Sequence, residues 1–145
     1  MEIDIKRVSD TAKLPETGSK YAAGYDLFAD IAEAITIAPH ETVMISTGVA
    51  VAIPEGYFGG VFARSGLSAK EGLRPANCTG VVDADYRGTV KVALHNDSIT
   101  ERIVEPQQKI AQLVIMPYLS VTFHEVDELD ETQRGEGGFG STGKK

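Results

Sequence analysis

The stretch Thr89-Val90-Lys91-Val92-Ala93-Leu94-His95 places Val90, Val92 and Leu94 at every second position, with Thr89, Lys91 and His95 alternating against them. A period of two sends successive side chains to opposite faces, so this is a strand with one buried face. The same alternation occurs near both ends of the chain. Ile3 and Ile5 alternate with Asp4 and Lys6, and Val121 and Phe123 with Thr122 and His124. Residues 43–53, 57–63, 101–104 and 109–116 are β-branched or apolar runs bounded by Gly, Pro or Asn, and they read as further strands. Pro39, Gly48, Pro54-Glu55-Gly56, Gly72, Pro75, Gly88, Pro106 and Pro117 fall at the turns between them. Many short strands at regular spacing predict a sandwich or closed barrel. One short helix is expected from Ser65 to Glu71, with Ser65 as its N-cap and Ser68 and Glu71 at capping-box spacing. The sequence has no repeat and no βα alternation, which argues against a parallel nucleotide-binding sheet.

A chain of 145 residues with 42% hydrophobic content is expected to form one domain with one adequate core. Its longest apolar runs, Val49 to Ile53 and Leu113 to Met116, are too short to span a bilayer. Residues 1–10 are charged and alternating, unlike a signal peptide. A single cysteine, Cys78, allows no internal disulfide and fits a reducing, cytoplasmic setting. As a small apolar side chain it is expected to be buried. The net charge of −7 opposes a nucleic-acid partner, which needs a basic face. A small phosphorylated ligand stays open, because it needs only a few local cations. Glu125, Asp127, Glu128, Asp130 and Glu131 read as a solvated linker.

The chemistry concentrates in Gly80-Val81-Val82-Asp83-Ala84-Asp85-Tyr86-Arg87-Gly88, where two carboxylates and an aromatic ring lie within four residues between glycines. Such a turn can grip a small planar ligand and activate a water. Arg64-Ser65-Gly66 sits where a strand passes into the expected helix. It favours a phosphate, and otherwise reads as a helix cap with a surface arginine. A serine nucleophile there would need flanking glycines, yet Ala63 and Leu67 occupy those places. Asp26 is either a turn residue or a holder of a metal's water shell. Gln112 interrupts an apolar strand and either faces solvent or a ligand. His40, His95, His124 and Cys78 have no zinc-ligand spacing, and the histidines read as structural or surface groups.

Residues 134–145 contain five glycines and a single aromatic, Phe139. Two familiar patterns occur here by composition. Gly135, Gly137 and Gly140 spell G-x-G-x-x-G, but no strand feeds it and no helix follows. Gly138 to Lys144 spells G-x-x-x-x-G-K, but Lys145 stands where Ser or Thr is required. The composition alone predicts a disordered tail. The alternative is a lid, in which glycines let successive N–H groups curl round an anion, Arg134, Ser141 and Thr142 add donors, and Phe139 stacks on a flat ring.

Five ordered segments resemble the homotrimeric dUTP pyrophosphatases, or dUTPases: Ala23 to Leu27; Ala63 to Leu67; Asn77 with Gly80 to Gly88; Lys109 to Leu113; and Arg134 through Gly143. Together they cover nearly the whole chain. The resemblance implies an all-β, jelly-roll-like barrel of short strands with one short helix over residues 1–126, then an acidic linker and flexible Gly-rich lid over 127–145. It implies a homotrimer with shared active sites, Mg²⁺ as cofactor, and hydrolysis of dUTP to dUMP and pyrophosphate, with no nucleic-acid or membrane partner. Asp83 resembles the general base. Tyr86 resembles the ring that packs on the deoxyribose and excludes a 2′-hydroxyl. Asn77 and the main chain of Val81, Val82 and Lys91 resemble the uracil pocket. Arg64, Ser65, Gly66 and Gln112 resemble the phosphate grip. Arg134, Phe139, Gly140, Ser141 and Thr142 resemble the lid, and Asp26 resembles the indirect holder of the metal's waters. Lys109 stands where arginine is common, and Thr89 where glutamate is common. The related dCTP deaminases carry a catalytic glutamate at the place Ala93 holds here, and a methyl group cannot shuttle a proton. A non-catalytic nucleotide-binding module is the remaining alternative, disfavoured by intact Asp83 and Arg134.

Overall fold

The computed structural model describes residues 1–138, so Phe139, Gly140, Ser141 and Thr142 of the expected lid lie outside the described residues. Strands dominate: β1 (Asp4–Arg7), β2 (Glu16–Thr17), β3 (Tyr25–Phe28), β4 (Ile35–Ile37), β5 (Thr42–Ser46), β6 (Val49–Ala52), β7 (Tyr57–Phe62), β8 (Leu73–Pro75), β9 (Thr79–Val82), β10 (Lys91–Asn96), β11 (Arg102–Val104) and β12 (Lys109–Pro117). They form antiparallel ladders: a five-stranded sheet β2-β3-β12-β7-β9, a three-stranded sheet β5-β10-β8, and the pairs β1-β6 and β4-β11. The fold is all-β and jelly-roll-like, although the ladders do not close into one continuous barrel among the described residues. No helix among the described residues is long and apolar enough to cross a membrane.

The alternation in β10 works as its sequence requires. Val92 and Leu94 are buried and Lys91 is exposed. They meet Leu27 of β3, Ile45 of β5, Val104 of β11 and Ile110 and Leu113 of β12 in one core. The run 43–53 is two strands, broken at Thr47-Gly48. Gly48 has φ +67°, and a Cβ there would lie 2.4 Å from Asp30 Oδ2. At the end of β10, Asn96 is fully buried yet satisfied. Its amide donates to the carbonyls of Ile37 (3.0 Å) and Thr100 (2.8 Å), and its oxygen accepts from Ser98 N (2.9 Å) and Ser98 Oγ (2.7 Å). A buried amide left unpaired would cost about 1–3 kcal/mol, so this network fixes the loop after β10.

Four expectations are corrected. Val121 and Phe123 form no strand and are 63% and 93% exposed, because no neighbouring strand covers this alternating segment. β1 does pair, but its residues are exposed on both faces, as only the edge of β6 supports it. The helix reduces to a π-type turn, Leu67–Glu71, whose N-cap residue is Gly66 without a side-chain capping bond; Ser65 does not cap it. Cys78 is exposed. It occupies the β8–β9 turn at φ +60°, a tight reversal that directs its side chain to solvent.

Candidate functional site

β12 runs between β3 and β7, and this register brings the first group of candidate residues together. Gln112 pairs with Asp26 on β3 and with Phe62 on β7. Asp26, Gln112 and the residues that leave β7 therefore face one another. Arg64 Nε donates to Asp26 Oδ1 at 2.8 Å, and Lys109 Nζ reaches Asp26 Oδ2 at 2.8 Å. The Asp26 carboxylate is only 15% exposed. Burial alone would raise its pKa, but hydrogen bonds and charge from Lys109 and Arg64 outweigh burial and hold it below the ordinary 3.8. Gln112 Nε2 donates to the Ala63 carbonyl at 2.9 Å. Half-buried, it lines an open cleft.

Arg64, Ser65, Gly66, Gln112, Asp26 and Gly24 line a common open cleft of about 470 Å³. Ser65 and Gly66 are exposed at its rim, with no atom within 4 Å of where a Gly66 Cβ would stand. The cleft is thus an arginine, a hydroxyl, an amide and open main chain around an open space, a donor set suited to an anion. Gly24 forms its floor; a Cβ there would come 2.2 Å from Gln112 Oε1. Gly24→Ala should displace the Gln112 amide and raise KM about five- to tenfold, one neutral hydrogen bond's worth, with kcat within about twofold. Steady-state kinetics on the purified variant checks this.

A second group of candidate residues lies along β9, which pairs with β7 from Thr79 at Phe62 to Val82 at Gly59. Among the described residues β9 is the outer strand of its sheet, paired with β7 on one side only. Its free edge offers main-chain N–H and C=O groups to a planar partner. Val82 buries its side chain, whereas Val81 is 64% exposed. Asn77 turns its amide toward Gly80, whose added Cβ would meet Asn77 Nδ2 at 3.4 Å. The β8–β9 turn is drawn tight by Thr79 N donating to Asn77 O at 2.6 Å.

Directly after β9, Tyr86 N donates to Asp83 O at 3.1 Å, closing a four-residue turn. The Asp83 carboxylate is exposed and has no salt-bridge partner among the described residues. Tyr86 Oη donates to Thr89 O at 3.1 Å, folding the ring back across Gly88. Asp83, Glu55, Arg87 and Tyr118 line an open cleft of about 670 Å³. Lys91 is exposed at the start of β10, where it pairs with Ser46.

These two clefts share no lining residue. The register explains why: Phe62 pairs with Thr79, and Gly59 with Val82. Asp83 therefore lies beside the start of β7 and Arg64 beyond its end, about 20 Å apart at about 3.3 Å per residue. Arg134 lines neither cleft; its Nε donates to Gly137 O at 2.8 Å within an exposed turn. Among the described residues no three His, Cys, Asp or Glu side chains cluster as metal ligands. His95 bonds to Thr42 Oγ1 at 2.8 Å and lies 3.3 Å from Asp97, a structural role like that expected. Sequence reasoning missed Lys109 as Asp26's second partner. The signal was its place in the register opposite Phe28, which only the β3–β12 pairing reveals.

The dUTPase family model matches residues 10–143. The deoxyuridine 5′-triphosphate nucleotidohydrolase of Hydrogenobaculum sp. (strain Y04AAS1) is 45% identical over 145 residues, covering 100% of both chains. A mutant dUTPase of Staphylococcus bacteriophage 80alpha, solved with dUpNHpp, superposes with TM-score 0.90 at 34% identity and covers 98% of each chain. A mutant dUTPase from phage phi11 of S. aureus, solved for the coordination of a structural Mg(II) ion, superposes with TM-score 0.82 at 30% identity, covering 90% of this chain and 100% of that one.

Proposed function

From the premise that this chain belongs to the dUTPase family, we propose that it hydrolyses dUTP to dUMP and pyrophosphate by water attack on the α-phosphorus, in active sites assembled from subunits of a homotrimer. The enzyme class itself, a dUTP nucleotidohydrolase, follows from the family. The observation that carries the mechanism is the exposed Asp83 carboxylate, without a salt bridge among the described residues, in a closed turn one residue beyond the edge strand β9.

Uracil fits the β9 edge. The main chain of Val81 and Val82 supplies paired donors and acceptors, and Asn77 closes the pocket at the hairpin turn, with Lys91 nearby on β10. Cytosine exchanges donor and acceptor at its position 4 and would leave main-chain groups unpaired once the base covers the edge, which is penalised strongly. A thymine methyl costs only about 1–3 kcal/mol in a yielding pocket, so its rejection depends on rigid backbone. The Tyr86 ring packs against the sugar and leaves no room for a 2′-hydroxyl.

Asp83 orients the water and takes its proton as the oxygen–phosphorus bond forms and the bond to the departing pyrophosphate oxygen breaks. A carboxylate is a weak base toward water, so positioning is its larger contribution. The triphosphate lies toward Arg64, Ser65, Gly66 and Gln112. Because those residues are about 20 Å from Asp83 in one chain, a second subunit must present them. The exposed apolar residues Leu119, Val121 and Phe123 support such contacts between copies.

The donor set fits a Mg²⁺ carried by the phosphates and its own waters rather than caged by protein, since the described residues offer no ligand cluster. When bound, the ion neutralises phosphate charge. Asp26, held by Arg64 and Lys109, would be the residue to accept hydrogen bonds from the ion's waters on its remaining lone pairs. Arg134, with Phe139, Gly140, Ser141 and Thr142, closes over the nucleotide, and the dUMP released is a precursor for thymidylate while less dUTP reaches DNA.

Incubating the protein with dUTP and Mg²⁺ and assaying pyrophosphate tests this reading. One pyrophosphate per dUMP is expected, with no ammonia from dCTP. Tight dUTP binding without turnover would instead make the chain a nucleotide-binding module.

A further inference from the structure

Arg87 follows Tyr86 and is exposed, yet its guanidinium turns back onto its own loop. Nη1 donates to the Ala84 carbonyl at 2.6 Å and to the Tyr86 carbonyl at 3.0 Å. One nitrogen thus bridges the middle and the end of the turn that Asp83 and Tyr86 close. On the other side, the Tyr86 ring lies so close over Gly88 that an added Cβ would come 2.4 Å from its Oη and 2.6 Å from Cζ. The ring is therefore fixed at three places: main chain through Arg87, hydroxyl through Thr89, and its hydroxyl end against Gly88.

We propose that Arg87 is a positioning residue for sugar selectivity, whose bridge between the Ala84 and Tyr86 carbonyls sets the depth at which the Tyr86 ring meets the ribose 2′-carbon. This rests on the reading of Tyr86 as the sugar gate. The physical reason is leverage. Charged hydrogen bonds hold better than neutral ones, and a shift of about 1 Å at a packing wall changes discrimination far more than it changes fold. A turn without the bridge still forms, because the Tyr86 N to Asp83 O bond remains, but its two central peptide groups are free to rock. The loss falls on the contrast between a hydrogen and a hydroxyl at the 2′ position.

The test compares kcat/KM for dUTP and UTP in wild type, Arg87→Ala, Arg87→Lys, Gly88→Ala, Tyr86→Ala and the Arg87→Ala/Tyr86→Ala double variant. Both nucleotides carry the same triphosphate, so any general effect of removing a positive charge cancels in the ratio. Arg87→Ala is expected to lower the dUTP-over-UTP ratio about tenfold, with the melting temperature within about 2 °C, as for a surface change. Arg87→Lys, which keeps a multiple donor on a shorter stem, should recover part of that ratio. Gly88→Ala should lower the ratio by pushing the ring off its seat. The double variant should be no less selective than Tyr86→Ala alone, because both act through one ring. If Tyr86→Ala abolishes selectivity while Arg87→Ala preserves it, the role of Arg87 is overturned and the gate stands. If Tyr86→Ala leaves the ratio unchanged, the gate itself is overturned, and the role of Arg87 with it.

Discussion

Replacing Asp83 by asparagine should lower kcat for dUTP by about 10²–10⁴ while KM stays within a few-fold. The side chain keeps its size and one acceptor oxygen, so it can still hold a water, but it can no longer take the proton. Nothing in the fold opposes the change. The Asp83 carboxylate is exposed and makes no salt bridge among the described residues, and the turn is closed by Asp83's carbonyl rather than its side chain. Stability should be unaltered by calorimetry, and a non-hydrolysable dUTP analogue should bind as to wild type. Equal losses in turnover and affinity would make Asp83 structural and end its assignment as base.

Mixing two inactive variants should restore activity. Asp83→Asn disables the turn after β9, and Arg64→Ala disables the cleft after β7, about 20 Å away in the same chain. If each site takes its base from one subunit and its phosphate grip from the next, a randomly reassembled equal mixture contains intact sites at about one in four. Activity should rise from about 1% or less in either parent to about a quarter of wild type after joint refolding. Sites confined to one chain would give no rise at all. Arg64→Ala leaves Asp26 paired with Lys109, so the cleft does not acquire a bare buried carboxylate.

The parts of the fold legible in sequence were those where a residue's burial is decided by its own strand. Val92 and Leu94 in β10, and Ile110 and Leu113 in β12, met the core as their patterns demanded. The pattern failed where burial depends on another element. Val121 and Phe123 alternate as a strand does, but among the described residues they have no neighbour to pair with. Cys78 has an apolar side chain, but the turn's handedness decided its exposure. Asn96 could not be read as a core amide, since its partners are the end of β4 at Ile37 and the loop after β10 at Thr100. In the site, the turn around Asp83 was legible because its residues are contiguous. The Asp26–Lys109 contact was not, because it joins residues 83 positions apart through the register of β3 on β12. The separation of Asp83 from Arg64 was equally hidden, since a linear sequence does not say which end of β7 each one faces.

The placement of β12 bears on how the chain is made. This is the last strand among the described residues, and it lies at the middle of its sheet between β3 and β7. On a ribosome, β3 and β7 emerge long before the element that must slot between them, and their unpaired main-chain edges wait for it. The core therefore closes late and in one concerted event, governed by pairings far apart in sequence, which are intrinsically slow. A nascent chain arrested before Lys109 would hold an open, adhesive half-barrel, whereas one released only a few residues past Pro117 already owns everything its core requires.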